Sequence, residues 1–357
     1  MDLSKINKNI LISLTVVAVS FLILELFSRI FFLISDRDIK AFKKFPGRYI
    51  QSYFSGYKLS PNWVLENKLT KETINSFGFR SPEFQFSKNK DTYRIICLGS
   101  SMVYGTGKNN DTFPFQIERE LNQLKKDGIN FEVINAGIPG YTSYHTMTQF
   151  LTSLVDLDPD LVISYQLFTE MWYAWDLSFS KMNSENFHPI NTSLSLKRIL
   201  DKSYFLILAN ATFRKHRSNI LKTKNHRYET KNFDENILNY YDRNIKIIAM
   251  TCDYLNIDLV LSIPISLFKQ KNTEAEKKLI IDYENKEFYF KYIQKGKDIL
   301  KSISKEHDNV YYYDPSDYIN SDLNTFEDRY HLTNEGNMLL GKEFKNYIIN
   351  SDLLSNK

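Results

Sequence analysis

The sequence of 357 residues contains only two cysteines, Cys97 and Cys252. They lie far apart, one in an apolar run and the other within a helical pattern, so a disulfide framework does not support this fold. We predict that both are buried apolar side chains and not a redox pair.

The sequence also lacks a strong excess of charge, because 46 Lys and Arg face 42 Asp and Glu, a net charge of +4. Proteins that bind nucleic acid usually carry a clustered basic face, so nucleic acid is not the expected partner. With 43% apolar and 25% charged residues, the composition excludes a largely disordered or collagen-like chain. No internal repeat or low-complexity tract is evident, and the length fits one large domain or two modest ones.

A long apolar segment covers residues 10–34, in which Glu25 and Arg29 are the charged residues. At about 1.5 Å per residue, a helix of this length can cross a hydrocarbon core of about 30 Å. Glu25 and Arg29 are four positions apart, so they can partly neutralise each other on one helical face. The pattern predicts a membrane anchor over 10–34, preceded by a short cytoplasmic tail over 1–9.

A cleavable signal peptide is the alternative, because Lys5 and Lys8 precede the apolar stretch, but no small-residue cleavage site follows it. The orientation is a second open point, because the basic residues that follow the span outnumber the lysines before it. These residues are Arg37, Lys40, Lys43 and Lys44. The positive-inside rule then conflicts with an exported domain. We nevertheless expect a single-pass membrane protein with an extracytoplasmic main domain.

Beyond residue 90, apolar strand-like runs alternate with helical patterns. The predicted strands are 93–98, 131–135, 161–165, 257–263 and 310–313, and the predicted helices are 113–124, 237–255, a long one ending at 303 and a last one from 334. This alternation predicts an α/β fold in which a parallel sheet has helices on both faces and chemistry at the carboxyl ends of its strands. We expect a spacer over 35–90 that packs on the main domain of 91–350, with an insertion at about 171–234 over the sheet's edge.

Three segments at predicted strand ends carry residues suited to acyl chemistry. Ser101 follows Gly99 and Ser100 after the first strand, where a sharp turn can present a hydroxyl, although the motif is not the G-x-S-x-G of α/β hydrolases. His331, with Asp328 three positions earlier, can act as a general base with its orienting carboxylate. The N–H of Gly137 can approach an oxyanion. Each segment also has a purely structural interpretation: a linker turn at Ser101, surface residues at Asp328 and His331, and a tight loop at Gly137.

Together these segments resemble the SGNH/GDSL hydrolases, in particular their membrane-anchored bacterial members. The resemblance spans about 75–350 and depends on several ordered blocks. They are Asn75-Ser-Phe-Gly-Phe-Arg80-Ser, Ile96-Cys-Leu-Gly-Ser-Ser101 with Gly105, Asn135-Ala-Gly137, and Asp328-x-x-His331-Leu-Thr. The resemblance implies a flavodoxin-like three-layer sandwich around a central parallel sheet.

Residue by residue, the resemblance implies that Ser101 is the nucleophile, His331 the general base and Asp328 the residue that orients it. It also implies that the N–H groups of Ser101 and Gly137 form part of the oxyanion hole. The family's Gly-Asp-Ser is replaced by Gly99-Ser100-Ser101, which keeps the nucleophile.

A second departure follows the third strand, where the family's Gly-x-Asn-Asp is replaced by Leu167-Phe-Thr169-Glu170. The oxyanion asparagine is therefore missing, and we predict that Thr169 or Gln166 takes its place as a donor. Losing one such donor typically costs ~10²–10³ in turnover.

These observations predict a membrane-anchored serine esterase that hydrolyses acetyl-type esters of a cell-envelope glycan or lipid through an acyl-serine intermediate. The histidines form no spaced ligand set with cysteines or carboxylates, so no metal or other cofactor is predicted. Two alternatives stay open. One is an O-acyltransferase with the same triad, and the other is a non-catalytic anchored binding protein that has lost turnover.

Overall fold

The computed structural model describes residues 3–35, 47–66, 71–124, 128–174, 202–209, 212–213, 236–280 and 283–354. The chain divides into two compact units. One unit comprises Met1–Arg48 with Ile190–Arg227, and the other comprises Tyr49–Pro189 with Tyr228–Lys357.

The first unit contains helix α1, Leu3–Ile34. Its stretch Asn9–Ile34 is long and apolar enough to cross a membrane, with a mean hydropathy of 2.6 in its best 18-residue window, properties that a signal sequence shares. Arg29 Nε lies 2.9 Å from Glu25 Oε1, so the predicted neutralising pair is formed.

Part of the predicted insertion packs on α1 within this unit. Glu25 accepts hydrogen bonds from Ser203 Oγ at 2.7 Å and from the N–H groups of Tyr204 and Phe205 at 3.1 and 3.0 Å. The Phe21 and Phe205 rings meet edge to face, with centroids 5.8 Å apart. The expectation of an insertion over the sheet's edge did not include this contact. Residues 175–201, 210–211 and 214–234 of the insertion lie outside the described residues.

The second unit is built on a five-stranded sheet. Its strands are β5 Thr92–Gly99, β6 Asn130–Asn135, β7 Leu161–Tyr165, β8 Asp258–Ser262 and β9 Val310–Tyr312. They lie in the order β6-β5-β7-β8-β9, with every neighbouring pair parallel. In sheet numbering this order is 2-1-3-4-5, the doubly wound flavodoxin-like topology. The predicted three-layer fold is confirmed.

Helices cover the two faces of this sheet. They are α2 Ser101–Tyr104, α3 Phe113–Gln123, α4 Ser143–Gln149, α5 Phe168–Ala174, α6 Ile237–Leu255, α7 Glu274–Lys277, α8 Lys286–Ile303 and α9 Asn334–Asn350. Helix α4 continues into a π-turn, Phe150–Leu154. Helix α6 matches its predicted span.

Two short antiparallel hairpins precede the sheet in the same compact unit. They pair β1 Tyr49–Ser52 with β2 Gly56–Leu59, and β3 Val64–Glu66 with β4 Lys71–Thr73. The sequence showed no periodicity in this region, so these strands were missed. The Tyr57 hydroxyl donates to Pro139 O at 2.8 Å, which joins the first hairpin to the loop after β6.

The core lies between the sheet and its helices. All five residues of β7 are buried, which explains why this strand reads as a continuous apolar run. Phe113 of α3 stacks on Phe344 of α9, with ring centroids 5.7 Å apart. Cys97 and Cys252 are both free and fully buried, as predicted.

Candidate active site

Ser101 stands directly after strand β5, at the carboxyl end of the sheet. A Cβ atom on Gly99 would lie 2.4 Å from Val103 Cγ2 and 2.5 Å from Tyr165 O, so glycine is required for the tight passage from β5 into α2. The strand order reverses between β5 and β7, and in open α/β sheets this switch point is where ligands bind. The fold therefore places the Ser101 hydroxyl where chemistry is expected.

His331 reaches Ser101 from the far end of the chain, 230 positions away. Its Nε2 atom lies 2.8 Å from Ser101 Oγ, and its Nδ1 atom lies 2.7 Å from Asp328 Oδ2. The structure thus brings together the three side chains that the sequence singled out, as one chain of hydrogen bonds.

The loop that carries Asp328 and His331 is tightly held. Asp328 Oδ1 accepts the N–H groups of Tyr330 at 2.9 Å and His331 at 2.8 Å. An isolated bridge pairs Phe326 with Leu332 and closes the loop. His331 is therefore fixed by its own loop before any substrate binds.

The charge state of Asp328 suits this geometry. Burial raises the pKa of this carboxyl, but the hydrogen bond and charge of His331 and the two backbone N–H groups together bring its pKa below the ordinary value. At neutral pH the carboxylate is ionised and accepts the Nδ1 proton of His331. The Nε2 lone pair is then free to accept the hydroxyl proton of Ser101.

The candidate site is open to solvent. The side chain of His331 is 25% exposed and that of Asp328 is 45% exposed. Water and a surface-bound substrate can therefore both reach the imidazole.

The N–H of Gly137, which the resemblance implied as an oxyanion donor, has a hydrogen-bond partner within its own loop. Its N–H donates to Asn135 Oδ1 at 3.0 Å, so this donor is already engaged. A Cβ atom here would lie 2.3 Å from Tyr104 N, which explains the glycine by close packing against α2. The structure gives the expected role of Gly137 no support.

Gly140 is a candidate donor that the sequence analysis missed. Ile138 N donates to Gly99 O at 3.2 Å, which aligns this loop with the end of β5, and Gly140 follows two residues later. Within the described ranges, neither the Gly140 N–H nor the Ser101 N–H has an acceptor. No sequence signal separated Gly140 from Gly137, because both lie in the same turn.

Thr169 and Gln166 differ in their availability. The Gln166 side chain is buried and engaged, accepting from Thr146 Oγ1 at 2.8 Å and donating to Ser164 Oγ at 3.1 Å. These contacts hold the Gln166 amide within the core and leave Thr169 as the more accessible of the two expected donors. Thr169 lies in the first turn of α5, is half-buried, and its hydroxyl has no partner in the described part of the chain.

Glu170 stands where the family has aspartate, and it is buried. Its Oε1 atom accepts the N–H of Ser143, whereas Oε2 has no partner among the described residues. Burial raises the pKa of Glu170 to about 7, although the hydrogen bonds from Ser143 act in the opposite direction. The carboxyl group joins the start of α5 to the start of α4.

No group of three or more His, Cys, Asp or Glu side chains in the described ranges could hold a metal ion. Of the histidines outside the triad, His145 is buried against Thr142 and His307 pairs with Asp253. The remaining three, His188, His216 and His226, lie outside the described residues.

The sheet topology, the order of serine, aspartate and histidine along the chain, and their contacts are those that the resemblance to the SGNH/GDSL hydrolases implied. No protein-family model matches the sequence, and no curated protein matches it.

Solved structures give likenesses of the fold. The acetyl xylan esterase AlAXEase has a TM-score of 0.43 at 12% identity and covers 72% of this chain and 100% of its own. A lipase/acylhydrolase from Enterococcus faecalis has a TM-score of 0.42 at 12% identity, and the match covers 72% of this chain and 95% of that protein. An acetylxylan esterase from Geobacillus stearothermophilus has a TM-score of 0.42 at 15% identity, and the match covers 72% of this chain and 94% of that protein. Likenesses of this size carry no information on the reaction of this chain.

Proposed function

We propose that the protein is a serine ester hydrolase held at a membrane by helix α1. The observation that supports this function is the chain of hydrogen bonds from Ser101 through His331 to Asp328. A hydroxyl that donates to an imidazole, whose other nitrogen is held by a carboxylate, is the arrangement that activates a serine nucleophile.

In the proposed reaction, Ser101 Oγ attacks the ester carbonyl while its proton passes to His331 Nε2. The oxyanion that forms is stabilised by the N–H groups of Ser101 and Gly140, with the Thr169 hydroxyl as a third donor. His331 returns the proton to the leaving alcohol, which leaves an acyl-serine. Water then attacks this ester while its proton passes to His331, and His331 returns the proton to Ser101 Oγ as the acyl–oxygen bond breaks and the acid is released. No cofactor is required.

We propose acetyl-type esters of a cell-envelope glycan or lipid as substrates, with the main domain on the extracytoplasmic side. The membrane-spanning properties of α1 support an envelope location. The exposure of His331 and Asp328 suits an acyl group that is carried on a bulky polymer or lipid and approaches from outside.

The test is to replace Ser101 in the full-length protein. We expect Ser101→Ala to abolish hydrolysis of a model acetyl ester and labelling by a serine-directed fluorophosphonate probe. Ser100→Ala is the matched control, because it removes a neighbouring hydroxyl that does not contact His331, and it should leave both signals intact. Activity that survives in Ser101→Ala contradicts the nucleophile assignment.

A non-catalytic binding protein is the second candidate. It is favoured by the threonine that stands in place of the oxyanion asparagine. Folded wild-type protein that stays unlabelled by the probe would support the binder. Transfer of the acyl group to a glycan hydroxyl faster than to water would instead identify an O-acyltransferase with the same triad.

A further inference from the structure

Arg80 is a buried arginine at the carboxyl end of the sheet, and its side chain is outside the proposed reaction. It is 2% exposed and lies in the segment between β4 and β5. A guanidinium stays charged at physiological pH and carries five N–H donors in a fixed plane. Burying it is unfavourable unless these donors find acceptors, so the acceptors indicate its role.

The acceptors of Arg80 belong to the chain that directly follows Ser101. Its Nη1 atom donates to Tyr104 O at 2.9 Å and to Gly105 O at 2.7 Å, and its Nη2 atom donates to Gly107 O at 2.7 Å. Its Nε atom donates to Asn109 Oδ1 at 3.2 Å. The guanidinium carbon also lies 4.6 Å from the centre of the Tyr104 ring.

Helix α2 needs such support because it is a single turn. The N–H groups of Tyr104 and Gly105 donate to Ser100 O at 3.0 Å and Ser101 O at 2.9 Å, so few internal hydrogen bonds fix the backbone of Ser101. The last carbonyls of any helix lack partners within it, and a turn this short is marginal on its own. Arg80 supplies partners for carbonyls at the end of α2 and just beyond it.

We infer that Arg80 is a positioning residue for Ser101, which holds α2 so that the Ser101 hydroxyl stays in line with His331. This inference rests on the proposed role of Ser101 as nucleophile. A displacement of about 1 Å in a reacting group can cost about 10²-fold in rate, so a loosened α2 slows the acylation step.

Arg94 offers a matched control at the opposite end of the sheet. It is 1% exposed, and it donates to Phe86 O at 3.0 Å, to Gln85 O at 2.6 Å and to the Glu132 carboxylate. It has the same side chain, equal burial and backbone carbonyl acceptors, but these acceptors lie away from Ser101.

The experiment compares Arg80→Lys with Arg94→Lys in the full-length protein, at a temperature where circular dichroism shows both to be folded. A lysine ammonium cannot span several carbonyls as a guanidinium does. We expect fluorophosphonate labelling of Ser101 to slow about 10²-fold in Arg80→Lys, with a parallel fall in kcat and an unchanged KM. Labelling in Arg94→Lys should match wild type. Equal labelling rates in the two variants overturn the inference.

Two further measurements separate the possible failures. Should Arg80→Lys not fold, Asn109→Ala removes an acceptor of Arg80, and Asn109→Asp is its control because it keeps that acceptor while losing the amide that donates to Thr73. Slower labelling in Asn109→Ala than in Asn109→Asp supports the inference, and equal rates overturn it. Should wild type itself stay unlabelled, the proposed function fails and hydrogen exchange tests Arg80 alone. Faster exchange of the 103–105 amides in Arg80→Lys than in Arg94→Lys supports the positioning role, and equal exchange overturns it.

Discussion

Arg94 at the amino end of the sheet and Arg80 at its carboxyl end are almost equally buried, yet their acceptors differ in kind. Arg94 joins Glu132 of β6 to the carbonyls of Gln85 and Phe86, and so ties structural elements to one another. Arg80 binds carbonyls that follow the candidate nucleophile. The amino end therefore uses buried polar contacts to hold the fold, whereas the carboxyl end uses them to order groups around one serine.

The largest expected effect comes from Asp328→Asn at the carboxyl end. An asparagine amide can donate to His331 Nδ1, which leaves the ring proton on Nε2. A protonated Nε2 cannot accept the hydroxyl proton of Ser101. We expect activity to fall about 10⁴-fold. Because the Asp328 side chain is 45% exposed, stability should hardly change. Ester hydrolysis and thermal unfolding measure the two effects, and nearly full activity would exclude the proposed role.

Asp160→Asn is the counterpart at the amino end. Asp160 is buried. Its carboxylate accepts hydrogen bonds from the backbone N–H of Arg94 at 2.7 Å and from Lys88 Nζ at 2.9 Å. Breaking such a buried pair should lower the free energy of unfolding by about 3 kcal/mol, which urea titration would detect. The kcat of the folded fraction should equal that of wild type. A loss of kcat in this variant would remove the distinction between the two ends.

Thr169→Asn sharpens the description of the carboxyl end by restoring the amide that the family carries there. Since removing one oxyanion donor costs ~10²–10³, a well-placed amide should raise kcat at least about tenfold. Thr169→Ala is the control, and a fall in its kcat would show that the threonine hydroxyl already acts as a donor. An unchanged kcat in both variants would place Thr169 outside the oxyanion site.

The sheet could be predicted from the sequence because buried parallel strands leave a local signal. The run Leu161–Tyr165 is apolar throughout except for one serine, and the structure has a strand with these bounds. The hairpins before the sheet left no such signal, because contacts distant in sequence hold them. The hydrogen bond from Tyr57 to Pro139, for example, joins residues 82 positions apart.

The candidate site divides in the same way. Ser101, Asp328 and His331 were named because their residue types and order along the chain match one family. For Gly137, by contrast, no residue type reveals that the Asn135 side chain turns back to accept its N–H. Arg80 belongs to the motif Asn75-Ser-Phe-Gly-Phe-Arg80-Ser, but its contacts at the end of α2 join residues that are 24 and 25 positions apart, so they depend on the fold.

The buried glutamates should make the stability of the fold depend on pH. Their ordinary pKa is 4.5, whereas burial raises that of Glu170, and that of Glu118 on α3, to about 7. Between these values the folded state binds more protons than the unfolded state, so stability falls as pH rises from 4.5 to 7 and then levels off. Each group should contribute up to about 1.4 kcal/mol per pH unit.

Glu170→Gln and Glu118→Gln should each remove one group's share of this slope, as measured by urea unfolding between pH 5 and pH 8. The charge of Glu132 also acts to raise the pKa of Glu118, and the charge of Glu170 in turn acts to raise the pKa values of Tyr241 and Tyr292. Only Glu170→Gln, at the carboxyl end, should also alter the pH dependence of kcat, because Glu170 adjoins Thr169. A slope unchanged in both variants would contradict the raised pKa values.

The smallest effect is expected at Ser100, beside the nucleophile. Ser100 is fully buried, and its hydroxyl has no partner among the described residues, unlike the neighbouring hydroxyl of Ser101. A buried unpaired hydroxyl is unfavourable, so Ser100→Ala should raise the free energy of unfolding by about 1 kcal/mol. Labelling of Ser101 should not change, because the Ser100 carbonyl still accepts the N–H groups of α2. A lower free energy of unfolding in Ser100→Ala would contradict this prediction, because it would mean that the Ser100 hydroxyl makes a stabilising hydrogen bond, as the Ser101 hydroxyl does.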